Sequence, residues 1–155
     1  MSAAHTKTTI DHGTFTITFQ RTFKAPREAV FQAWTHPDEL AQWWDPSGAR
    51  LAECKIDLRP GGAFELVNQD SAHSPPFTGV YRAIEAPSLL VFDAMGSVGT
   101  VRLEADRGTT HMTVTIRCGS AEQLEQFVKV GVDVNTDRTF DNLVAFVARA
   151  QKMID

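Results

Sequence analysis

The side chains able to do acid–base or metal chemistry are thinly spread along this chain of 155 residues. No two histidines have the His-x-x-x-His spacing that puts a pair of ligands on one helix face, so a zinc site is not indicated. The five histidines are His5, His12, His36, His73 and His111. A cysteine–histidine–aspartate triad could be drawn from Cys54, His73 and Asp93, but nothing in their spacing brings the three together.

The glycine-rich stretch RPGGAF, residues 59–64, is not a phosphate-binding loop. It lacks the Gly-Lys-Ser/Thr ending and the following helix that such loops need. A hairpin turn explains its two glycines better.

Three polar side chains in predicted strands are the remaining candidates for chemistry. Arg21 falls on the apolar face of the first strand, Tyr81 is the single tyrosine, and Asp93 interrupts the apolar run LLVFDAM. Each could project into a cavity and orient a polar atom of a ligand. The alternatives are an edge salt bridge for Arg21, packing with an exposed hydroxyl for Tyr81, and a strand end or solvated face for Asp93. We favour these alternatives, because lone polar residues in strands are mostly solvated.

Composition indicates a soluble protein of one domain without a nucleic-acid partner. The formal net charge of −4 argues against a basic binding face. There is no run of 18 apolar residues, and the first thirteen residues lack the apolar stretch of a secretory signal. Cys54 and Cys118 match no metal spacing, so we interpret them as reduced, buried thiols of a cytoplasmic protein.

Alternation of apolar and polar residues from residue 14 to residue 23 predicts the first strand. Its apolar face is formed by Phe15, Ile17, Phe19 and Phe23. Residues 1–13 are polar and aperiodic, so we expect a flexible N-terminal tail ahead of a domain spanning residues 14–155.

Two short helices and about six further strands follow the first strand. Helical spacing predicts the helices over residues 26–34 and 37–44, separated at His36-Pro37. Short turns between the later strands favour an antiparallel meander. The predicted strands are 50–58, 63–69, 77–85, 89–95, 100–106 and 111–118.

After Cys118-Gly119 the apolar period becomes helical. Ser120 and Gln123 form a capping box, and Gly131 among valines predicts a bend or break in the helix. The order of elements predicts an α+β fold, with a long C-terminal helix on the concave face of a curved antiparallel sheet. A straight helix in a bowed sheet leaves a gap, which is either filled by side chains or kept as a cavity.

The sequence resembles the bacterial proteins related to the activator of Hsp90 ATPase, within the START-like, Bet v 1-like superfamily. The resemblance covers roughly residues 14–150 and rests on stretches that occur in the expected order. These are FKAPREAVFQAWTHPDELAQWWDPSG, IDLRPGGAFEL, GVYRAIEAPSLLVF and FDNLVAFV. The resemblance implies a helix-grip fold with a mainly apolar internal cavity. The co-chaperone activity of the eukaryotic relatives belongs with an additional domain, so we do not transfer it to this chain.

Trp43 and Trp44 are adjacent in the sequence, just before Asp45-Pro46. In the implied fold the two short helices close one end of the sheet. One indole then packs beneath the helices and the other lies near the mouth of the cavity, where an amphipathic ring suits a boundary between apolar and wet surroundings. Alternatively both plug a solid core, as we expect for Trp34.

We therefore expect a module that binds a small hydrophobic or aromatic molecule between the sheet and the C-terminal helix, with no cofactor and no metal. The predicted contacts are Trp43, Trp44, Phe64, Leu66, Tyr81, Phe127, Val134, Phe140 and Leu143, with Arg21 and Asp93 as possible polar groups of the cavity. One alternative is a cyclase- or hydrolase-type enzyme that uses Arg21, Tyr81 and Asp93. Another is a protein-interaction module with a filled interior and an exposed apolar patch. A homodimer is compatible with each.

Overall fold

The structure is a computed structural model that describes residues 6–69 and 75–154. These residues form one antiparallel sheet in the order β1-β2-β8-β7-β6-β5-β4-β3, together with four helices. The strands are β1 Lys7–Asp11, β2 Thr16–Phe23, β3 Glu53–Ile56, β4 Ala63–Val67, β5 Phe77–Glu85, β6 Leu89–Ala94, β7 Ser97–Asp106 and β8 Thr109–Arg117. The helices are α1 Arg27–Thr35, α2 Pro37–Trp43, α3 Ala121–Lys129 and α4 Val132–Ile154. The predicted helix-grip α+β fold is confirmed.

The N-terminal strand β1 is the main departure from the predicted order of elements. Residues 7–11, assigned to a flexible tail, pair antiparallel with β2 along the edge of the sheet. The prediction was wrong there because a short edge strand with both faces near solvent carries no strong apolar alternation, and Ile10 alone packs on the core. His5, in the predicted tail, lies outside the described residues. His73, from the cysteine–histidine–aspartate triad considered above, also lies outside them.

The first long strand, β2, has the predicted dry and wet faces. Ile17, Phe19 and Phe23 are buried, whereas Gln20 and Thr22 are exposed. The strand pairs with β8 along its whole length, so the apolar faces of both strands turn towards the helices.

Helices α1 and α2 close one end of the sheet, as predicted. His36 separates them in an extended conformation because Pro37 disfavours helical geometry in the residue before it. Helix α1 contacts β7 and β8, helix α2 contacts β3, and both contact α4.

The C-terminal segment breaks where the sequence predicts. Gly131 adopts a φ of 85°, a left-handed conformation that glycine tolerates, and it separates α3 from α4. Ser120 caps α3 by accepting a hydrogen bond of 3.1 Å from the Gln123 backbone N–H. No helix in the described ranges is both long and apolar enough to span a membrane.

Candidate functional site

A cavity of about 270 Å³ lies between the sheet and the C-terminal helices. Its walls are mostly apolar and include six aromatic rings. The aromatic residues are Trp34, Trp44, Phe77, Phe92, Phe127 and Phe140, and the remaining lining residues are Pro46, Ala94, Met95, Ser97, Gly99, Val114, Ile116, Val132, Asn135, Thr136 and Thr139.

The sheet supplies the floor of the cavity from four neighbouring strands, β5 to β8, with Phe77 at the β5 end. Alternation places Phe92 and Ala94 of β6 on the inner face, beside Gly99 of β7 and Val114 of β8. Phe92 lies opposite Gly99, and a Cβ at Gly99 would stand 2.5 Å from the Phe92 ring. The missing side chain therefore lets this ring lie across the neighbouring strand.

Helix α4 supplies the roof through residues spaced three and four apart, beginning with Val132 and ending with Phe140. Thr139 donates a hydrogen bond of 3.1 Å to the Trp44 carbonyl, and Asn142 donates one of 2.9 Å to the Asp45 carbonyl. These two bonds join α4 to the residues that follow α2, and so connect the roof of the cavity to its side wall.

The adjacent tryptophans Trp43 and Trp44 have different surroundings. Trp43 is fully buried, and its Nε1 donates a hydrogen bond of 3.0 Å to the Ala33 carbonyl. Trp44 is half-buried and lines the cavity, with its ring centroid 5.1 Å from that of Phe77. The prediction of Trp43 as a cavity contact was wrong, because this indole packs beneath the helices and does not line the cavity.

Three further residues of the predicted set, Phe64, Leu66 and Tyr81, lie behind the main cavity. They line a separate void of about 20 Å³, which is large enough for about one water molecule. The Phe64 ring packs 5.5 Å from that of Phe92 and 5.1 Å from that of Tyr81. These residues support the aromatic wall without lining the larger space.

Of the predicted contacts on α4, Phe140 lines the cavity and two others do not. Leu143 is fully buried in the core. Val134 is 54% exposed, so its assignment as a cavity contact was wrong. The break at Gly131 sets the phase of α4, and a position two residues after Val132 is rotated about 200° away from it. Phe127 of α3, also predicted, lines the cavity.

Neither charged candidate lies in the cavity. Arg21 is buried as alternation predicts, but its Nη1 donates to Asp141 Oδ1 at 2.7 Å and to Thr6 Oγ1 at 3.0 Å. Asp93 points outward between inward-facing neighbours and pairs with Arg82 at 3.2 Å. The polar-cavity assignment of both was wrong, and the triple convergence that the enzyme hypothesis required does not occur.

Two ionisable groups near the smaller void are held in their neutral forms. Burial raises the pKa of the Cys54 thiol to about 11, with Asp38 adding to the effect and Arg50 opposing it. Burial also raises the pKa of the Tyr81 phenol, and the neighbouring Cys54 adds to that shift. A neutral thiol and phenol are poor nucleophiles. No cluster of three or more histidine, cysteine, aspartate or glutamate side chains within residues 6–69 and 75–154 could hold a metal ion.

Sequence reasoning missed several lining residues, above all Trp34, Phe77 and Phe92. Trp34 was predicted to be a core residue, because helical periodicity does not distinguish the wall of a cavity from a solidly packed interior. The pairing of Phe92 with Gly99 across β6 and β7 is a signal that could have been found, since a large ring opposite a glycine indicates a shaped surface.

The family model described as "Activator of Hsp90 ATPase homolog 1-like protein" matches residues 24–148. Among solved structures, a protein from Nitrosomonas europaea is similar over 98% of this chain and 99% of its own, with 18% identity and a TM-score of 0.81. An AHSA1-like protein from Aeromonas hydrophila is 26% identical over 88% of this chain and 94% of its own, with a TM-score of 0.72. CalU16 from Micromonospora echinospora is 25% identical over 90% of this chain and 80% of its own, with a TM-score of 0.63. Comparison with curated proteins gives no match.

Proposed function

The chain belongs to the activator of Hsp90 ATPase homolog 1-like family, and from this premise we propose that it binds a small aromatic or hydrophobic molecule in the cavity between sheet and α4. The observation that carries the proposal is the cavity itself. Its volume of about 270 Å³ lies just below the range of about 300–1,000 Å³ typical of small-molecule sites. A dry apolar cavity of about 150 Å³ already accepts benzene, so this one suits a ligand of one or two fused rings.

The lining favours burial of apolar surface over polar recognition. Aromatic rings from the sheet, from α1, from the residue that follows α2 and from both C-terminal helices face the same space. Each Å² of apolar surface that a ligand removes from water contributes roughly 25 cal/mol, and planar rings pack favourably against the edges and faces of such walls. A carrier, a sequestering protein and a ligand sensor would each use this arrangement.

Binding is tested with the two-ring fluorescent probe 1-aminonaphthalene, which is uncharged at neutral pH. We expect saturable enhancement of probe emission, with quenching of tryptophan emission because Trp34 and Trp44 border the cavity. Thr136→Phe places a ring inside the space and should abolish both changes. Val134→Phe adds the same ring two residues away on the exposed side of α4, and should bind the probe like the parent protein.

Circular dichroism establishes that both variants are folded before their titrations are compared. Equal loss of binding in the two variants, or no saturable binding by the parent, contradicts the proposed function.

A further inference from the structure

Three hydroxyl groups belong to residues that line the cavity, and two of them already donate within the protein. Ser97 Oγ donates a hydrogen bond of 2.8 Å to the Ala94 carbonyl, and Thr139 Oγ1 donates to the Trp44 carbonyl. Thr136 Oγ1 makes no hydrogen bond within the described residues, not even the bond to a carbonyl one turn earlier that threonine often forms in a helix. The Thr136 hydroxyl is therefore the one of the three whose donor is unused.

The Thr136 hydroxyl also keeps accessible surface. In the described part of the chain, the buried side-chain polar atoms without a partner are Arg21 Nε, Trp34 Nε1 and Asp133 Oδ1. Thr136 is a half-buried residue whose unpaired oxygen is absent from that set. Its oxygen can therefore be reached from open space, whereas the Trp34 nitrogen cannot.

The phase of α4 directs Thr136 into the cavity. Thr136 lies four residues after Val132 and four before Phe140, and all three line the cavity. Val134, on the opposite face, is exposed to solvent. Farther along the inward face Phe140 and Leu143 are buried, whereas Val132 and Thr136 are half-buried. The surface that Thr136 keeps on this inward face is therefore cavity surface.

The charge of the lining restricts what can pair with this hydroxyl. Within the described ranges, no aspartate, glutamate, lysine, arginine or histidine lines the cavity. A charged group placed there would lose its hydration without gaining a counter-ion. The buried part of a ligand must therefore be uncharged, and its polar atom must suit a neutral hydroxyl.

We infer that the cavity binds an uncharged aromatic compound with a neutral oxygen, carbonyl or hydroxyl, that forms a hydrogen bond with Thr136 Oγ1. This inference rests on the proposed function and assigns Thr136 as the residue that determines ligand specificity. A threonine hydroxyl suits either kind of oxygen, because it donates one hydrogen bond and also accepts. The aromatic rings of the sheet and of α1 hold the flat apolar part of the ligand.

Two matched pairs of ligands test the inference by displacement of 1-aminonaphthalene. The first pair is 2-acetonaphthone and 2-isopropenylnaphthalene, in which a CH₂ group replaces the carbonyl oxygen. The second is 2-naphthol and 2-methylnaphthalene, in which a methyl group replaces the hydroxyl. The measured quantity is the affinity ratio within each pair, compared between the parent and its variants, so that differences in ligand hydration cancel.

Thr136→Val replaces the hydroxyl with a methyl group at nearly constant volume. We expect it to lower the affinity ratio of at least one pair roughly fivefold, as the loss of one net hydrogen bond allows. Thr136→Ser keeps a hydroxyl and should preserve the ratio. Thr113→Val is the matched control, since Thr113 points to the outer face of β8 between the buried Met112 and Val114, and it should also preserve the ratio.

The hydrocarbon members show whether the cavity of the variant is intact, because they should bind the parent and Thr136→Val with similar affinity. Circular dichroism precedes the titrations. Thr136→Ala, which also lacks the hydroxyl, carries the same expectation if valine disturbs the helix.

The outcomes separate this inference from the proposed function. Unchanged ratios for both pairs in the variants without the hydroxyl overturn the inference, while the cavity remains a binding site. An equal fall in Thr113→Val also overturns it, because the effect would then arise outside the cavity. Tighter binding of 2-naphthoate than of 2-acetonaphthone overturns it as well, since an anion would be preferred. If neither the probe nor any of these compounds binds the parent, the proposed function fails.

Discussion

Arg21 is a buried cation whose carboxylate partner lies near the protein surface. The Arg21 side chain is 4% exposed, whereas that of Asp141 is 60% exposed. Breaking a buried pair by removing one partner leaves an uncompensated charge, but replacing the charge with an apolar group of similar size is often tolerated. Substitution of Arg21 and substitution of Asp141 should therefore change the free energy of unfolding by different amounts.

We predict that Asp141→Ala lowers the free energy of unfolding by about 2 kcal/mol, since hydrogen bonds to charged groups contribute about 1.5–3 kcal/mol. Arg21→Met should change it by less than about 1 kcal/mol. Urea unfolding at neutral pH measures both. Asp137→Ala is the control, because Asp137 makes no ion pair within the described ranges. An Arg21→Met variant less stable than Asp141→Ala would contradict this account of the pair.

Cys54 is a second residue whose burial changes its chemistry, in this case the reactivity of its thiol. Because burial raises its pKa from 9.0 to about 11, its thiolate fraction at pH 7 falls about 100-fold relative to the unfolded chain. The greater nucleophilicity of a high-pKa thiolate offsets part of this loss. In Cys118→Ala protein, labelling of Cys54 should be at least about tenfold slower in the folded state than in urea.

The same shift sets the sign of the pH dependence. A folded-state pKa above the unfolded value favours the folded state while the thiol is protonated. Its contribution to stability is thus complete below pH 9 and is lost as the pH rises towards about 11. Relative to the Cys54→Ala/Cys118→Ala double variant, the Cys118→Ala protein should lose stability over this interval. A parallel dependence in the two proteins would contradict the assigned cause.

At the scale of elements, α3 is the helix most weakly anchored to the rest of the fold. Leu124 is its one buried residue, although Phe127 lines the cavity. Gln123 provides the polar anchor, since its Oε1 accepts from the Gly119 N–H at 2.6 Å and its Nε2 donates to the Met95 carbonyl at 2.8 Å. This one side chain joins the start of α3 to the turn between β6 and β7.

Gln123→Ala should therefore accelerate amide hydrogen exchange throughout α3 while leaving the central part of α4 nearly unchanged. Loss of a helix cap of this kind costs about 1 kcal/mol. Gln126→Ala removes the same side chain from an exposed position of α3 and should have no comparable effect. Uniform acceleration across both helices would show that α3 opens only with the whole molecule.

The elements that were predicted well are those that bury one face and expose the other. In β2, the alternation of Ile17 and Phe19 with Thr18 and Gln20 fixes both the strand and its inner face. Strand β1 was missed because pairing at an edge depends on a neighbour distant in sequence and leaves little periodic trace. The phase of α4 was misjudged at Val134 because the exact helix start after Gly131 decides which valine faces inward.

For the whole molecule, the sequence predicts that a gap exists between sheet and helix, but its size depends on packing. The ring of Phe92 folded across Gly99, and the placement of Trp34 at a wall, are tertiary outcomes that periodicity does not encode. Arg21 shows the same limit. Alternation predicts that its side chain is buried but does not predict its ion pair with Asp141.

Ligand binding should be linked to global stability. A ligand at 100 times its dissociation constant raises the free energy of unfolding by about 2.7 kcal/mol if it binds only the folded state. We expect 2-acetonaphthone to raise the melting temperature of the parent and of Val134→Phe, and to leave Thr136→Phe unchanged. Equal stabilisation of all three proteins would place the ligand outside the cavity.

The most direct test of the central claim is the position of the ligand in a crystal of its complex. With 6-bromo-2-acetonaphthone, the anomalous signal of the bromine locates the ring system independently of how the surrounding electron density is interpreted. The account predicts a bromine peak inside the cavity, between the sheet floor at Phe92 and the α4 roof at Phe140. A peak on the outer face of the sheet, with the cavity empty while the compound binds in solution, would contradict it.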